Sequence, residues 1–508
     1  MLHILDYLVM AAYVLVVVYV CIRVTRRAPD TEELFLAGRS LGPAVIGFSL
    51  FASNISSTTL IGLPGAAWES GISVANYEWM AALVLAFTAV FVLPILIGNR
   101  VTTLPELLER RFDARLRRYL SATSLFLSLV LDTAGSLYAG ALVLMVFMPD
   151  LSLGWTCAAL AIFAGVYTAA GGLRAVVYTD VLQAAVLLLG SLVLTGIVFG
   201  QFDYDWARVV ASVPAEKLSL IRPLDDPALP WLGTLIGLPI LGFYYWTMNQ
   251  YVAQRLLGAR DLQAAGRGAL FAAAMKLLPL FLMVLPGVMA AALFADLERP
   301  DTVFPRLIAA YAPPGLAGLM IAALLAAIMS SVDSALNSAS TLVIADFVQP
   351  RRPALSSVEL ARFGRYTTLG FMLLAALWAP QIQHFPGLFA YLQQTFSYVT
   401  PPLVAIFVLG MLWPGLGAKA AWRALLGGHL LSALWFVATQ LGWLNIHFTI
   451  VAGMLFAATL VFAVICQALA GQHLVANRSL GSWRAPRETV VGATVLAAVT
   501  LLLVWVFR

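Results

Sequence analysis

The chain has 508 residues, 61% of them hydrophobic and only 11% charged, with a mean hydropathy of +0.91. That is more apolar surface than one water-soluble core hides, so the lipid bilayer has to be the solvent. The formal charge of +5 does not call for a nucleic-acid or acidic partner, because the arginines sit in the loops between apolar runs.

Charge-free runs at residues 83–98, 181–200 and 489–507 approach or match the roughly 30 Å of hydrocarbon at about 1.5 Å per residue, so helices are expected to span it. In chain order, fourteen spans are predicted near residues 5–25, 45–67, 77–99, 118–148, 152–170, 177–199, 232–256, 268–294, 313–343, 363–380, 388–412, 423–441, 446–470 and 488–507. They form one transmembrane domain over residues 1–508, with no linker long enough to separate two globular units. No basic stretch precedes the first run and Arg26 and Arg27 follow it, which reads as an uncleaved span with its N-terminus outside. The alternate loops then facing the cytoplasm carry Arg26, Arg27, Arg110, Arg111, Arg174, Arg255, Arg260, Arg351, Arg352, Arg423 and Arg478, among others. The outer side holds only Arg208, Lys217, Arg222, Arg299, Arg306 and Arg508, and the positive-inside rule fits this orientation alone, in a cell (inner) membrane. Cys21, Cys157 and Cys466 lie in or beside apolar runs and lack metal-ligand spacing.

Three spans carry signs of interruption. In the second, Ala52, Ser53, Asn54, Ile55, Ser56, Ser57, Thr58 and Thr59 precede Gly62, Pro64 and Gly65. In the seventh, Pro239 and Gly242 come before Tyr244, Tyr245, Trp246, Asn249 and Gln250, and in the eleventh Gln393, Gln394, Ser397 and Tyr398 precede Pro401 and Pro402. Non-helical backbone at membrane depth survives only where protein or a wet cavity satisfies its polar groups, so such stretches point to a solute path, although serines and threonines also simply bond back to their own helix. Ionisable side chains in apolar runs, here Glu78, Asp132, Asp180, Lys276 and Asp333, each cost on the order of 3 kcal/mol at the bilayer centre without a partner or cavity. Lys276 is expected to meet a carboxylate or a solute oxygen, and Asp132 has no assigned role. In the ninth span Ser330 and Ser331 precede Asp333 and Ser334; with carbonyls freed between Ala52 and Ile55 they would make an oxygen cage for a sodium-sized ion, provided the two helices meet.

The runs 49–57, 171–180, 254–255 and 329–341, together with the loop 104–112, resemble the sodium:solute symporter family, in its sodium/glucose and sodium/galactose cotransporter branch. Matches run in order from about Ala37 to Pro402. The resemblance implies an all-α, LeuT-type fold of two inverted five-helix repeats, about residues 45–200 and 230–412, with peripheral helices in 1–30 and 420–508. It implies a sodium site of backbone oxygens at Ala52, Ile55 and Ala327 and hydroxyls at Ser330 and Ser331, and a second cation position, for sodium or a proton, at Asp180 and Asp333. For the solute it implies Asn54, Thr59, Glu78, Lys276 and Gln393, with Tyr245 as the aromatic gate. The chain departs from the sugar carriers at Thr59, where relatives often have His or Gln, at Gly242, where a hydrogen-bonding side chain is usual, and at Ala390, where an Asp occurs.

The function expected is import of a monosaccharide or polyol on the sodium gradient by alternating access, with sialic acid, an organic acid or an amino acid as other solutes. The partners implied are sodium, the solute and the bilayer. A non-transporting membrane sensor is the reading from another class, and no signalling domain is expected beyond the fourteenth span. Enzyme chemistry is not expected: the five histidines include no close pair within one span, and neither a nucleophile–base motif nor a nucleotide-binding glycine loop is present.

Overall fold

The computed structural model describes residues 2–24, 36–55, 57–168, 173–470, 480–481 and 484–508. The expectations for Arg26, Arg27, Arg174, Arg478 and Cys21, for residues 56–58 and for the motif at 171–177 lie outside the described residues, wholly or in their side chains. Helix occupies every predicted span, and among the described residues the only β-type pairing is an isolated bridge between Leu41 and Ala259. Nine described helices are long and apolar enough to cross a bilayer by themselves: Ile72–Gly98, Ala114–Phe147, Tyr178–Gly200, Leu262–Leu293, Leu316–Val348, Leu388–Leu412, Ala418–Gln440, Phe448–Ala470 and Arg487–Val506. The second span is two helices, Pro43–Asn54 and Ser57–Ser70, with a 55° bend between them. Ile4–Val24, Leu153–Thr168, the broken run from Trp231 to Leu257 and Ser357–Trp378 supply the other helical segments.

The first repeat-starting helix breaks after Asn54, where Ile55 leaves helical geometry at φ −73° and ψ 53°. Serine and threonine hydroxyls compete with the ladder there, and the Thr59 hydroxyl donates to the Asn54 carbonyl across the break. The seventh span breaks at Asn249, at φ −67° and ψ 118°, directly after a π-turn over Tyr244–Met248. The Asn249 side chain accepts the Tyr251 N–H at 3.1 Å and so starts the next helix, Gln250–Leu257. Pro239 and Gly242, the expected breakers, lie before this point, and Pro239 falls in the first turn of Leu238–Phe243, where its missing N–H costs no helical bond.

The eleventh span corrects the sequence reading, since Leu388–Leu412 runs as one helix through Pro401 and Pro402. Pro402 leaves the Tyr398 carbonyl without its helical donor, and the neighbouring twelfth span supplies one in the Ser432 hydroxyl, with His429 Nε2 2.9 Å from the adjacent Val399 O. A proline pair therefore bends no helix open when an adjacent helix supplies the lost hydrogen bonds.

Loops expected on one side of the membrane do meet at one end of the molecule. The Arg39 guanidinium donates to Leu257 O and Val101 O, each at 3.2 Å, and Arg117 pairs with Asp346 at 2.7 Å. Two arginines assigned to those loops are instead buried. Arg111 donates to Gly410 O, Trp413 O and Pro414 O at 2.8–2.9 Å, capping the end of the eleventh span, and Arg255 lies wholly inside the helix bundle. At the opposite end the Trp68 indole donates to Phe294 O at 3.0 Å, and the Lys217 ammonium donates to Trp68 O at 2.7 Å. The first span is tied down by Asp6, whose carboxylate accepts the N–H groups of Gly315 and Gly318 at 2.7 and 2.8 Å where the ninth span begins.

The eleventh span begins in the same way. Asp301, in the turn Pro300–Thr302, accepts the Leu388 N–H at 3.0 Å. Burial pushes its carboxyl up to about 7, and the nearby Glu69 adds to the rise. A carboxyl whose folded value is raised lends stability at low pH and loses it as pH climbs through that value. Thermal unfolding in detergent should therefore show the melting temperature of the wild-type protein falling by a few degrees from mildly acidic to mildly alkaline buffer. Asp301→Asn, which keeps the acceptor, should flatten that slope; parallel slopes would discount Asp301.

Candidate functional site

A cavity lies where the two broken helices, the third span and the eleventh span converge. Asn54 and Thr59 reach it from the break in the second span, Glu78 from the third, Tyr245 and Trp246 from the π-turn of the seventh, and Gln393 from the eleventh. The break sets these groups at its edge: Asn54 ends the first half of the broken helix, and its buried Oδ1 has no hydrogen-bond partner among the described residues. Gly242 also lines the cavity, and its missing side chain leaves space where a methyl would first meet Val84 at 3.3 Å. Amide, carboxylate, hydroxyl and aromatic groups facing one cavity suit a small ring bearing several hydroxyls.

Lys276 is placed differently from the other expected solute residues. It does not line the cavity; its ammonium is fully buried, 2.5 Å from Glu78 Oε2 and 4.8 Å from the centre of the Trp246 ring. The eighth span ends a helix at Met275 ahead of Pro279, and this local unwinding lets the lysine reach across to the third span. The pair leaves Glu78 with a second oxygen for the cavity.

Ser330 and Ser331 are buried and face the broken second span through two linkers. Asp180 is the first: its Oδ2 accepts from Ser49 at 2.8 Å and Ser53 at 3.4 Å, and its Oδ1 accepts from Ser330. Tyr251 is the second, its hydroxyl donating to Ser53 O at 2.7 Å while its ring borders Ser331 in a smaller cavity. Ser331 donates to Ala327 O at 2.8 Å, so its lone pairs stay available. The two helices that an oxygen cage at Ala52, Ile55, Ala327, Ser330 and Ser331 requires are therefore in contact. Asp333 is buried three residues beyond Ser330 and lines, with it, an apolar cavity against the first span.

The sequence reading left Tyr251 without a role and placed Arg255 in a cytoplasmic loop. Arg255 is fully buried and donates to Ser49 Oγ and Ser334 Oγ, each at 2.8 Å, and to Asp180 Oδ2 at 3.1 Å. It thereby neutralises the Asp180 charge and joins the second, sixth, seventh and ninth spans. An arginine two residues inside the end of a helix, with serines in the second and ninth spans and an aspartate in the sixth to receive it, is the signal that could have found it.

Residues 34–428 match the model of the sodium:solute symporter family. The chain is 36% identical over 464 residues to the sodium/myo-inositol cotransporter 2 of Homo sapiens, across 84% of this chain and 69% of that one. It is 35% identical over 477 residues to the sodium/glucose cotransporter 2 of Rattus norvegicus, across 84% and 70%. Among solved structures, a sodium-coupled sialic acid symporter in a substrate-bound outward-open state superposes with a TM-score of 0.79 at 20% identity, covering 92% of this chain and 98% of that one. A nucleobase-cation-symport-1 family transporter gives 0.58 at 15% identity, over 92% and 99%. At these identities the structural likeness speaks for the fold alone, the five-plus-five arrangement of inverted helix repeats.

The Asp180–Arg255 knot makes a stability prediction. Removing one member of a buried ion pair strands the other and costs about 3–5 kcal/mol. Arg255→Met should lower the melting temperature sharply, and adding Asp180→Asn should restore much of the loss. A double variant as unstable as the sum of the singles would show that the two side chains act separately.

Proposed function

The chain belongs to the sodium:solute symporter family, and we propose that it imports a monosaccharide or cyclic polyol together with sodium by alternating access. The observation that carries this reading is the contact between the broken second span and the ninth at Asp180 and Tyr251, next to a polar cavity opened by the same break. In this reading sodium is cargo. Backbone oxygens of Ala52, Ile55 and Ala327 and the hydroxyls of Ser330 and Ser331 replace its water, and Asp180 and Asp333 supply negative charge nearby. The solute hydroxyls pair with Asn54, Thr59, Glu78 and Gln393, and Lys276 acts through Glu78 as a positioning residue. Tyr245 is the inner gate, with Phe396, whose ring centre lies 6.1 Å away, beside it.

Coupling follows from shared structure. Sodium bound across the second and ninth spans favours the conformation in which Asn54 and Thr59 are turned toward the solute, so each ligand raises the affinity for the other by the same factor. One charge falling through 100 mV yields about 2.3 kcal/mol, and a tenfold gradient adds about 1.4 kcal/mol. Together these sustain roughly 500-fold accumulation per sodium. We place residues 45–200 and 230–412 as the two repeats, the arginine-bearing loops in the cytoplasm, the N-terminus outside and the protein in the cell (inner) membrane.

Counterflow in proteoliposomes with hexoses, inositols and sialic acid, with and without sodium, tests the reading. Sodium-dependent exchange of a hexose or inositol is expected, and Ser331→Ala should abolish sodium stimulation. Glu78→Gln should raise KM tenfold or more with a smaller change in kcat, as loss of a charged hydrogen bond predicts. Exchange indifferent to sodium would sink the proposal.

A further inference from the structure

Beneath the gate lies a second, smaller cavity that shares Tyr245, Leu392 and Phe396 with the solute cavity. Its polar lining is Asp132, Ser136, Tyr251 and Ser331, with the phenol of Tyr245 at the shared wall. Asp132 stands on a π-turn, Ser128–Thr133, that displaces it from the regular face of the fourth span.

Three of the hydroxyls in this chamber, those of Ser331, Tyr251 and Ser136, have already donated their hydrogens to backbone carbonyls. Ser331 donates to Ala327 O at 2.8 Å, Tyr251 to Ser53 O at 2.7 Å and Ser136 to Asp132 O at 2.7 Å. What these oxygens turn to the chamber is lone pairs. The other buried carboxylates near the bundle centre meet cations, Glu78 at Lys276 and Asp180 at Arg255. The Asp132 carboxylate, by contrast, has one described hydrogen bond, from Asn249 Nδ2 at 3.5 Å, and pairs with no cationic side chain among the described residues. The other titratable groups around it are the phenols of Tyr244, Tyr245 and Tyr251, with Arg255 and Asp180 beyond Tyr251. A carboxylate at membrane depth in an acceptor-lined chamber needs a positive partner.

We propose that the chamber is a monovalent-cation site of its own, with the Asp132 carboxylate as its charged ligand and the oxygens of Ser136, Tyr251 and Ser331 as neutral ones. Ser331 borders both this chamber and the sodium position proposed above. The identity of that first position rests on the symport reading; the chamber's own chemistry does not. The occupant is sodium or a proton, since a carboxylate among hydroxyls accepts either.

Binding of radioactive sodium to the purified full-length protein, without solute, tests the site independently of which solute is carried. At saturating sodium and neutral pH, Asp132→Asn should bind one sodium fewer per chain than wild type, and Asp132→Glu should keep it. If the occupant is a proton, the sodium counts agree, and titration confined to about pH 6–8, above the range of an ordinary carboxyl, finds one proton per chain fewer taken up by Asp132→Asn. Equal sodium and proton counts in folded wild type and Asp132→Asn would overturn the proposal. Should Asp132→Asn fail to fold, Ser136→Ala reads the same chamber: several-fold weaker binding of the second cation supports it, and unchanged affinities for sodium and proton refute it. A sodium difference at Asp132 with no sodium-driven uptake of any solute would sink the symport reading and leave the site standing.

Discussion

The rest of the structure depends on one unmade stretch of helix. After Asn54, where Ile55 leaves helical geometry, the second span gives up its ladder, and that is tolerable inside a membrane only because other segments supply hydrogen bonds. Thr59 reaches back to the Asn54 carbonyl, Tyr251 donates to the Ser53 carbonyl, and Ser49 and Ser53 donate to Asp180. The partners come from the sixth and seventh spans, so the break locks in place only when those spans are assembled around it. The same requirement gathers polar side chains at the centre of an otherwise apolar bundle.

The break divides labour on its two sides. Toward the third and eleventh spans it opens a cavity lined by Asn54, Glu78 and Gln393; toward the ninth it faces serine hydroxyls and Asp180. A change on one side moves backbone that the other side uses, which is the physical basis for coupling two ligands that need not touch. Neutralisation follows the same plan. Lys276 is spent on Glu78 and Arg255 on Asp180, each fully buried and each contributed by the second half of the chain to a carboxylate of the first half. Charges so paired hold the two halves in register at a desolvation cost that a purely apolar contact would avoid.

Breaks in the seventh and eleventh spans show how far local chemistry decides backbone. Proline marks looked alike in both segments, yet the seventh opens at Asn249 and the eleventh stays closed over Pro401 and Pro402. Asn249 brings its own cap for the next helix, whereas the twelfth span hands Ser432 to the Tyr398 carbonyl that Pro402 releases and sets His429 beside the adjacent Val399 carbonyl. Which outcome occurs is a matter of what lies alongside, and no window of adjacent residues contains that information.

By itself the amino-acid sequence determined that this is a polytopic helical membrane protein. Apolar run length, charge content and loop arginines report directly on the solvent each segment meets. It also pointed to an interruption in the second span, because seven small or polar residues among the eight from Ala52 to Thr59 strain a single helix in lipid, and the quoted motifs carried the family with its expected site residues. Only the tertiary structure decided that Lys276 stands behind Glu78 rather than in the cavity, that Arg255 and Arg111 are buried, and that Asp132 shares a chamber with Ser331. These are questions of who meets whom across more than a hundred residues of chain. Helix periodicity says which face a side chain occupies, but only packing says what occupies the facing surface.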